Sequence, residues 1–359
     1  MSNVVLLING QRYIGWTEVS VSRSLINLAG EFDLSLTRIW SDAAPVPIRP
    51  GMSCKVMIGD EVVISGYIDD FVPSYDDKTI RYQVTGRDKT GDLVDCAAVY
   101  KGSQWNNVNL TRIATDLCEP FGIRVIDNAT QQSFFPYTVK AAEEKRIIFT
   151  AWRIEQGETV EENLRRAARQ NSALITSTPE GDLLITAPST KVLPETLKLG
   201  VNIKAAAGRF SWRNRHDRYL VKGAGYTGGD LDSTNSSDNV GRAMLIRDPA
   251  VNRHRPKIVL SEDAFTAEGA TQRGQWQKTR DIGTSTQTQI TVTDWYYDDS
   301  HLWPINVLVN IKDEYQGLDV QWLIVAVNFI EGDSGRLTQL TLMPSEALSV
   351  EPPASTMLW

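Results

Sequence analysis

Over the first hundred residues apolar and polar positions alternate with a period of two. In EFDLSLTRI, Phe32, Leu34 and Leu36 share one side and Glu31, Asp33 and Ser35 the other, the pattern of a half-buried strand. VVLLI and RYIGWTEVSVS flank Asn9-Gly10, and CKVMI and EVVIS flank Gly59-Asp60. Both are two-residue hairpin signals. GYIDDFV and KTIRYQVTG follow around a polar turn at Asp76-Asp77, and APVPIRPG reads as a rigid connector. About six short strands with close turns predict a barrel or sandwich.

The period changes near Ala98. In NLTRIATDLCEPFG, Leu110, Ile113, Ala114, Leu117 and Cys118 fall at helical spacing, with Asn109 as N-cap and Pro120 and Gly122 ending the run. In ETVEENLRRAARQ, Thr159 and Glu162 form a capping box. Val160, Leu164, Ala167 and Ala168 line one face, and Glu161–Arg165 and Glu162–Arg166 are i,i+4 pairs in the favourable order. SALITSTPEGDLLITAP predicts two strands around Pro179–Asp182. Strands return after Val201: RFSW, RYLVKGAG, TQITVTDWYY, INVLVNI, VQWLIVAVNFI and RLTQLTLMP. Between them GGDLDSTNSSDNVG reads as a mobile surface loop and EDAFTAEGATQRGQWQKTR as a helix with Ala264, Ala267, Ala270 and Trp276 towards one side. The chain is therefore expected to be mainly β with α+β insertions. It divides into a first β-barrel over 1–98, an α+β unit over 99–200, a second β-barrel over 201–350 with an inserted loop and helical segment near 228–285, and a loose tail over 351–359. One internal match crosses these boundaries. Val56–Glu61 and Val309–Glu314 share V-x-I-x-D-E, each followed by an apolar strand, an acidic turn and an alternating strand, which points to a duplicated β unit.

Composition narrows the function. The 359 residues suffice for two to three domains, and a net charge of −7 argues against a chain-wide grip on nucleic acid or anionic lipid. Three scattered cysteines, Cys54, Cys96 and Cys118, predict neither a disulfide framework nor a zinc knuckle, and fit a reducing compartment. MSNVVLLING lacks the basic start of a secretory signal, and no apolar run nears the ~20 residues of a membrane span.

Several motifs resemble catalytic ones. Gly223, Gly225 and Gly228 form G-x-G-x-x-G, but no helical period follows to hold a pyrophosphate, so a strand with a sharp turn is expected. Gly332–Gly335 reads GDSG, yet His216, His254 and His301 have no flanks to match a protease base, and a hairpin turn is expected. The same histidines have no ligand-spaced neighbours, so no metal is expected. Asp294, Asp298 and Asp299 lie in DWYYDDSHLWP, where a solvated loop packed on Trp295 and Trp303 outweighs a glycosidase pair. Arg209, Arg213, Arg215 and Arg218, with Phe210 and Trp212, can line a nucleic-acid site, a solvated strand face or a subunit interface; the last two readings are favoured. No catalytic, cofactor-binding or metal residue is assigned.

The order of several weaker motifs carries a resemblance. IEQGETVEENLRRAARQNSALITSTPEGDLLIT, WRNRHDRYLVKGAG, NRHRPKIVLSED, QRGQWQKTRDIGTSTQTQITVTDW and LWPINVLVNIKDEYQGLDVQWLIVAVNF together resemble the baseplate hub proteins of contractile-tailed phages, in particular the phage Mu tail hub family. The resemblance runs well from about residue 100 to 350, and in the first barrel by order more than by motif. It implies two tail-tube-like barrels per chain and a structural, non-enzymatic homotrimer without cofactor or small-molecule substrate. Three chains would present six similar barrels around a channel, joining the tail tube to the central spike and other baseplate proteins. Phage DNA would pass without sequence-specific binding, helped by an acidic lumen. The expected location is the virion tail baseplate, assembled in the host cytoplasm. The alternatives are a type VI secretion or phage-tail-like bacteriocin hub, for which a fused spike domain is expected and not seen before Trp359, a tail-tip peptidoglycan hydrolase, and a carbohydrate-binding module suggested by ten tryptophans.

Overall fold

The computed structural model describes residues 3–39, 47–128, 148–171, 173–223, 243–261 and 267–348. The connector residues before Pro47, the polar loop with Gly225 and Gly228, Ala264 and the tail after Leu348 lie outside them. The chain is mainly β with a few helices, built around one thirteen-stranded sheet drawn from both of its ends.

The N-terminal half of that sheet holds β1 (Val4–Ile8), β2 (Gln11–Tyr13), β3 (Glu18–Ser24), β4 (Glu31–Ile39), β5 (Ser53–Ile58), β6 (Glu61–Tyr75) and β7 (Thr79–Asp88), in the order β2-β1-β5-β6-β7-β4-β3. Asn9 and Gly10 take positive φ, as their type of hairpin turn requires. The sequence breaks EVVIS from GYIDDFV at Gly66, whereas the structure runs one strand through it. The glycine is a crossing point, since a Cβ there would lie 2.0 Å from the Arg87 carbonyl oxygen. The bend of β6 comes three residues later, where Asp69 bulges out of the β7 ladder.

The middle of the chain folds as α1 (Gly91–Asp95), β8 (Gln104–Val108), α2 (Leu110–Cys118), β9 (Val125–Asp127), β10 (Phe149–Arg153), α3 (Val160–Gln170), β11 (Leu174–Ser177) and β12 (Leu183–Thr186). Their buried faces share one core, with Leu117, Trp152, Leu164 and Ile185 at its centre. The Asn109 side chain caps α2, and the reciprocal Thr159–Glu162 box caps α3. Glu162 is therefore engaged with the Thr159 amide, and Arg166 does not pair with it. Arg166 is buried, bonds Glu158 at 2.9 Å and stacks 4.1 Å over Trp152.

The chain returns to the large sheet with β13 (Val192–Lys198), inside the stretch assigned to the middle unit by sequence, and β14 (Ile203–Phe210). A separate sheet of β15 (Arg218–Gly223), β16 (Ala243–Arg247) and β17 (Pro256–Ser261) packs on α4 (Ala267–Ser285) through Tyr219, Val221, Ile246 and Ala270. Then β18 (Thr286–Thr293), β19 (Leu308–Asp313), β20 (Leu318–Gly332) and β21 (Gly335–Met343) complete the large sheet in the order β14-β18-β21-β20-β19-β13.

The two halves repeat each other. The series β3-β4-β7-β6-β5-β1 corresponds to β14-β18-β21-β20-β19-β13, differing in that β1 pairs antiparallel and β13 parallel. Both V-x-I-x-D-E copies run out of the short strand of a hairpin, β5 or β19, into a strand of 15 residues. The bulge of β6 at Asp69 has its counterpart in β20 at Val325. Aligned through these ladders, Gln83-Val84-Thr85 falls on Gln339-Leu340-Thr341.

Candidate functional site

The halves join where Val19–Ser24 of β3 pair antiparallel with Ala326–Glu331 of β20. The distal part of β20 thus has β21 on one side and β3 on the other, and the Leu25 amide continues the junction by donating to the Val325 carbonyl at 2.7 Å. Side chains alternate across it. Val19, Val21, Phe32, Leu34, Ile290, Val327, Phe329 and Leu340 point into a shared core, buried from both halves. Ser20, Ser22, Asn328, Gln339, Thr341 and Gln289 point to the opposite face. Ser20 donates to Asn328 at 3.1 Å across the junction itself.

That opposite face forms one polar surface spanning both halves. In the N-terminal half it carries Glu31, Asp33, Asp69 and Asp70 around Arg87. Gln83 donates to Asp33 at 2.9 Å, and Arg87 bonds both Asp69 and Asp95. In the C-terminal half Gln287 and Gln289 stand at the positions of Glu31 and Asp33, and Val325, Ala326 and Met343 at those of Asp69, Asp70 and Arg87, all uncharged. Neutral amides and carboxylates offer phosphate groups no cationic clamp, and the Arg87 guanidinium is held by Asp69 and Asp95.

Beneath the junction lies a knot that the sequence did not signal. Asp88, buried, accepts from the amides of Gly30 and Thr90 and the hydroxyls of Thr90 and Ser177 at 2.5–2.9 Å. Arg23 donates to the Ser177 carbonyl at 2.7 Å. One carboxylate therefore ties β3–β4, the start of α1 and β11 together, while burial pushes its acidity down. Only the Thr90 bonds are local; Gly30 and Ser177, which make it a tie between elements, are 58 and 89 residues away along the chain.

The catalytic look-alikes are accounted for locally. Asp333-Ser334 is the tip of the β20–β21 hairpin, with Gly335 at φ 81°. Gly223 ends β15, a strand held between β16 and β17. Asp298 accepts from the amides of Ser300 and His301 and pairs with the exposed His301 ring at 2.8 Å, which holds its carboxyl at about 2. Trp295 is buried and donates to the Ile330 carbonyl, and Trp303 is buried beside it. Arg215 forms a buried ion pair with Asp248 at 2.8 Å, and Arg218 pairs with Asp217. His216 sits 3.6 Å from Asp281, and no three ligating side chains gather among the described residues. Burial pushes the Cys54 and Cys118 thiols up to about 12, far from a reactive thiolate.

Comparison with known proteins gives this architecture a family. Three family models match in order: the N-terminal domain of Mu phage baseplate assembly protein GpP-like over residues 3–88, the second domain of baseplate hub protein gp44-like over 90–187, and the fourth domain of Mu phage baseplate assembly protein GpP over 266–351. Baseplate hub protein gp44 of Escherichia phage Mu is 33% identical over 354 residues, 98% of this chain and 90% of that one. The chain belongs to the Mu-type baseplate hub family. The 43 kDa tail protein of prophage MuSo2 from Shewanella oneidensis shares its fold at TM-score 0.80 and 40% identity, covering 97% of this chain and 99% of the other. The tail protein of Neisseria meningitidis MC58 matches at 0.78 with 21% identity over 98% and 99%. The c3393 protein of E. coli, described as a component of the type VI secretion system, matches in fold at 0.60 and 12% identity over 97% and 79%. The hub is accordingly a structural protein of the phage tail baseplate, and its relatives are structural baseplate proteins. What sequence reasoning missed is the fusion of the two β units into one sheet. Alternation in EVSVSRS signalled a strand, but nothing in it names a partner some 300 residues away.

Proposed function

We propose that this hub is a symmetry adaptor. Three copies close into a ring in which each chain supplies two equivalent half-sheets, six in all, around a central channel. Such a ring matches a six-fold tail tube on one side and a three-fold spike on the other. The observation that supports it is the repeated strand order, with its matching bulges at Asp69 and Val325, fused across β3 and β20 into one sheet. The first barrel (1–98) of this reading is the N-terminal half-sheet, and the second barrel (201–350), joined by β13 from the end of the 99–200 unit, is the C-terminal one.

The polar face crossing the junction lines the channel in this arrangement. Its acidic half and amide half let phage DNA slide rather than stick, with no base-specific contact. The hub has no enzymatic role, takes no cofactor and binds the spike, the tube and other baseplate proteins after assembly in the host cytoplasm. Mass measurement of the purified chain by light scattering, with electron microscopy of the particles, tests the ring. A mass of three chains with a central hole is expected; a monomer at every concentration overturns it. Clearing of cell-wall material by the purified chain would overturn the non-enzymatic reading.

A further inference from the structure

The repeat leaves one junction unmade. Within the chain, β3 at the end of the N-terminal half-sheet pairs with distal β20 of the C-terminal half-sheet. The counterpart of β3 is β14, and the counterpart of distal β20 is distal β6. Among the described strands, β14 has one neighbour, β18, and residues 69–75 of β6 have one neighbour, β7. Both are exposed: β14 along nearly its whole length, distal β6 on both faces except at half-buried Phe71.

The backbone polarity of these edges is fixed by bonds on their other sides. The Ser211 amide donates to Ser285, so Ser211, Arg209 and Ala207 direct their peptide groups towards β18. Ala206, Gly208 and Phe210 direct theirs outward. In β6 the Asp76 amide donates to Thr79, so Ser74 and Val72 face β7, while Phe71, Pro73 and Tyr75 face outward.

Side chains agree with a shared edge. Leu25, one residue beyond β3, is 3% exposed against the other half; its counterpart Trp212 is 41% exposed and Phe210 is 43% exposed. On the same face distal β6 shows half-buried Phe71 and, two pairs along, Tyr75 at 78% exposure. Charge is complementary, with Lys204, Arg209 and Arg213 on or beside β14 and Asp69, Asp70, Asp76 and Asp77 on or beside distal β6. This gives the exposed Arg209–Trp212 cluster a surface to meet.

We propose that β14 of one chain adds antiparallel to distal β6 of the next, repeating between chains the β3–β20 junction made within each. Carried through the ladders, the internal register sets Arg209 opposite Val72, Phe210 opposite Phe71, Ser211 opposite Asp70 and Ala206 opposite Tyr75. Arg209 then lies diagonal to Asp70 on the same face, within reach of a long side chain. Gly208 meets Pro73, which has no amide hydrogen; that pair keeps only the bond from the Gly208 amide. The proline also blunts this edge against strands arriving in other registers.

The inference rests on the ring reading, and the test separates the two. Arg209 and Val72 form a non-hydrogen-bonded pair, whose Cα atoms approach to about 4.5 Å and suit a disulfide. With Cys96→Ser removing the exposed thiol, the Val72→Cys/Arg209→Cys chain under mild oxidation should run as covalent trimers that a reductant reverses. Each single variant, and the out-of-register Tyr75→Cys/Arg209→Cys chain, should stay uncrosslinked. A trimer by light scattering without the crosslink overturns the strand pairing and leaves the ring; monomer mass without crosslink overturns both. Ala206→Pro supplies a second readout, because its lost amide faces outward and the β18 ladder stays whole. It should keep the parent circular dichroism and shift the mass from three chains to one, and an unchanged trimer would count against the pairing.

Discussion

The two halves of the large sheet share strand order, a 15-residue strand and its bulge at Asp69 or Val325, yet they solve the same positions differently. At the β6–β7 crossing the N-terminal half uses Gly66 and Gly86, whose backbones pass so close that a Cβ would clash. At the aligned positions the C-terminal half holds Trp322 and Leu342, both buried, and fills the space with side chains. On the polar face Glu31 and Asp33 are matched by Gln287 and Gln289. Along the junction strands, buried Val19 and Val21 are matched by exposed Ala206 and Gly208. A duplicated scaffold tolerates such divergence because its ladder hydrogen bonds are indifferent to side chains. What differs is what each half faces.

The contrast breaks most sharply at Phe329 and its counterpart Pro73. Phe329 is 3% exposed in the core shared by both halves, so Phe329→Ala should cost about 3–5 kcal/mol. Pro73→Ala, on an exposed edge, should stay within ~0.5 kcal/mol in the isolated chain. Urea unfolding of both variants at a concentration that holds the chain monomeric checks this; equal costs would show that the halves do not share a core.

Gly66→Ala comes next, at roughly 1–3 kcal/mol, because the added methyl meets backbone rather than a flexible side-chain end. The hairpin acids follow. Asp313 is buried and accepts from the Tyr315 and Gln316 amides and the Gln316 side chain, organising a turn longer than its counterpart. Asp313→Ala should cost about 1–3 kcal/mol, whereas Asp60→Ala at the exposed first copy should be close to neutral. Thermal melts of the pair measure how far one motif has come to serve two turns.

The sequence disclosed what is local. The Asn109 cap, the Thr159–Glu162 box, the Asn9-Gly10 turn and the alternation of β4 are all decided within a few residues, and the structure has each of them. The V-x-I-x-D-E match fell on the repeated hairpin, although its two copies are out of ladder register: Val309 aligns with Cys54 and Ile311 with Val56. Long-range choices were silent. The Glu162–Arg166 expectation failed because Glu158, Trp152 and the Arg153 carbonyl compete for the same guanidinium. The fusion of β3 to β20 and the Asp88 knot depend on partners that one strand's alternation cannot identify.

The smallest effect probes the polar face. Glu31→Gln/Asp33→Gln gives the N-terminal half the residues of the C-terminal half. Asp33 loses a charge-assisted bond from Gln83 but gains an amide able to bond it, and both sites retain solvent access. Stability should therefore change by no more than ~1 kcal/mol. If the carboxylates serve only the fold, nothing else should move. If they line the channel, removing two charges per chain takes six from a trimer, and phage carrying the variant should eject DNA more slowly at low salt while assembling normally. Added salt should abolish the difference, since screening shortens the reach of the remaining charges to about 8 Å at physiological ionic strength. Normal ejection at every salt concentration would place these acids away from the DNA path and leave the chemical divergence of the two faces without a role in passage.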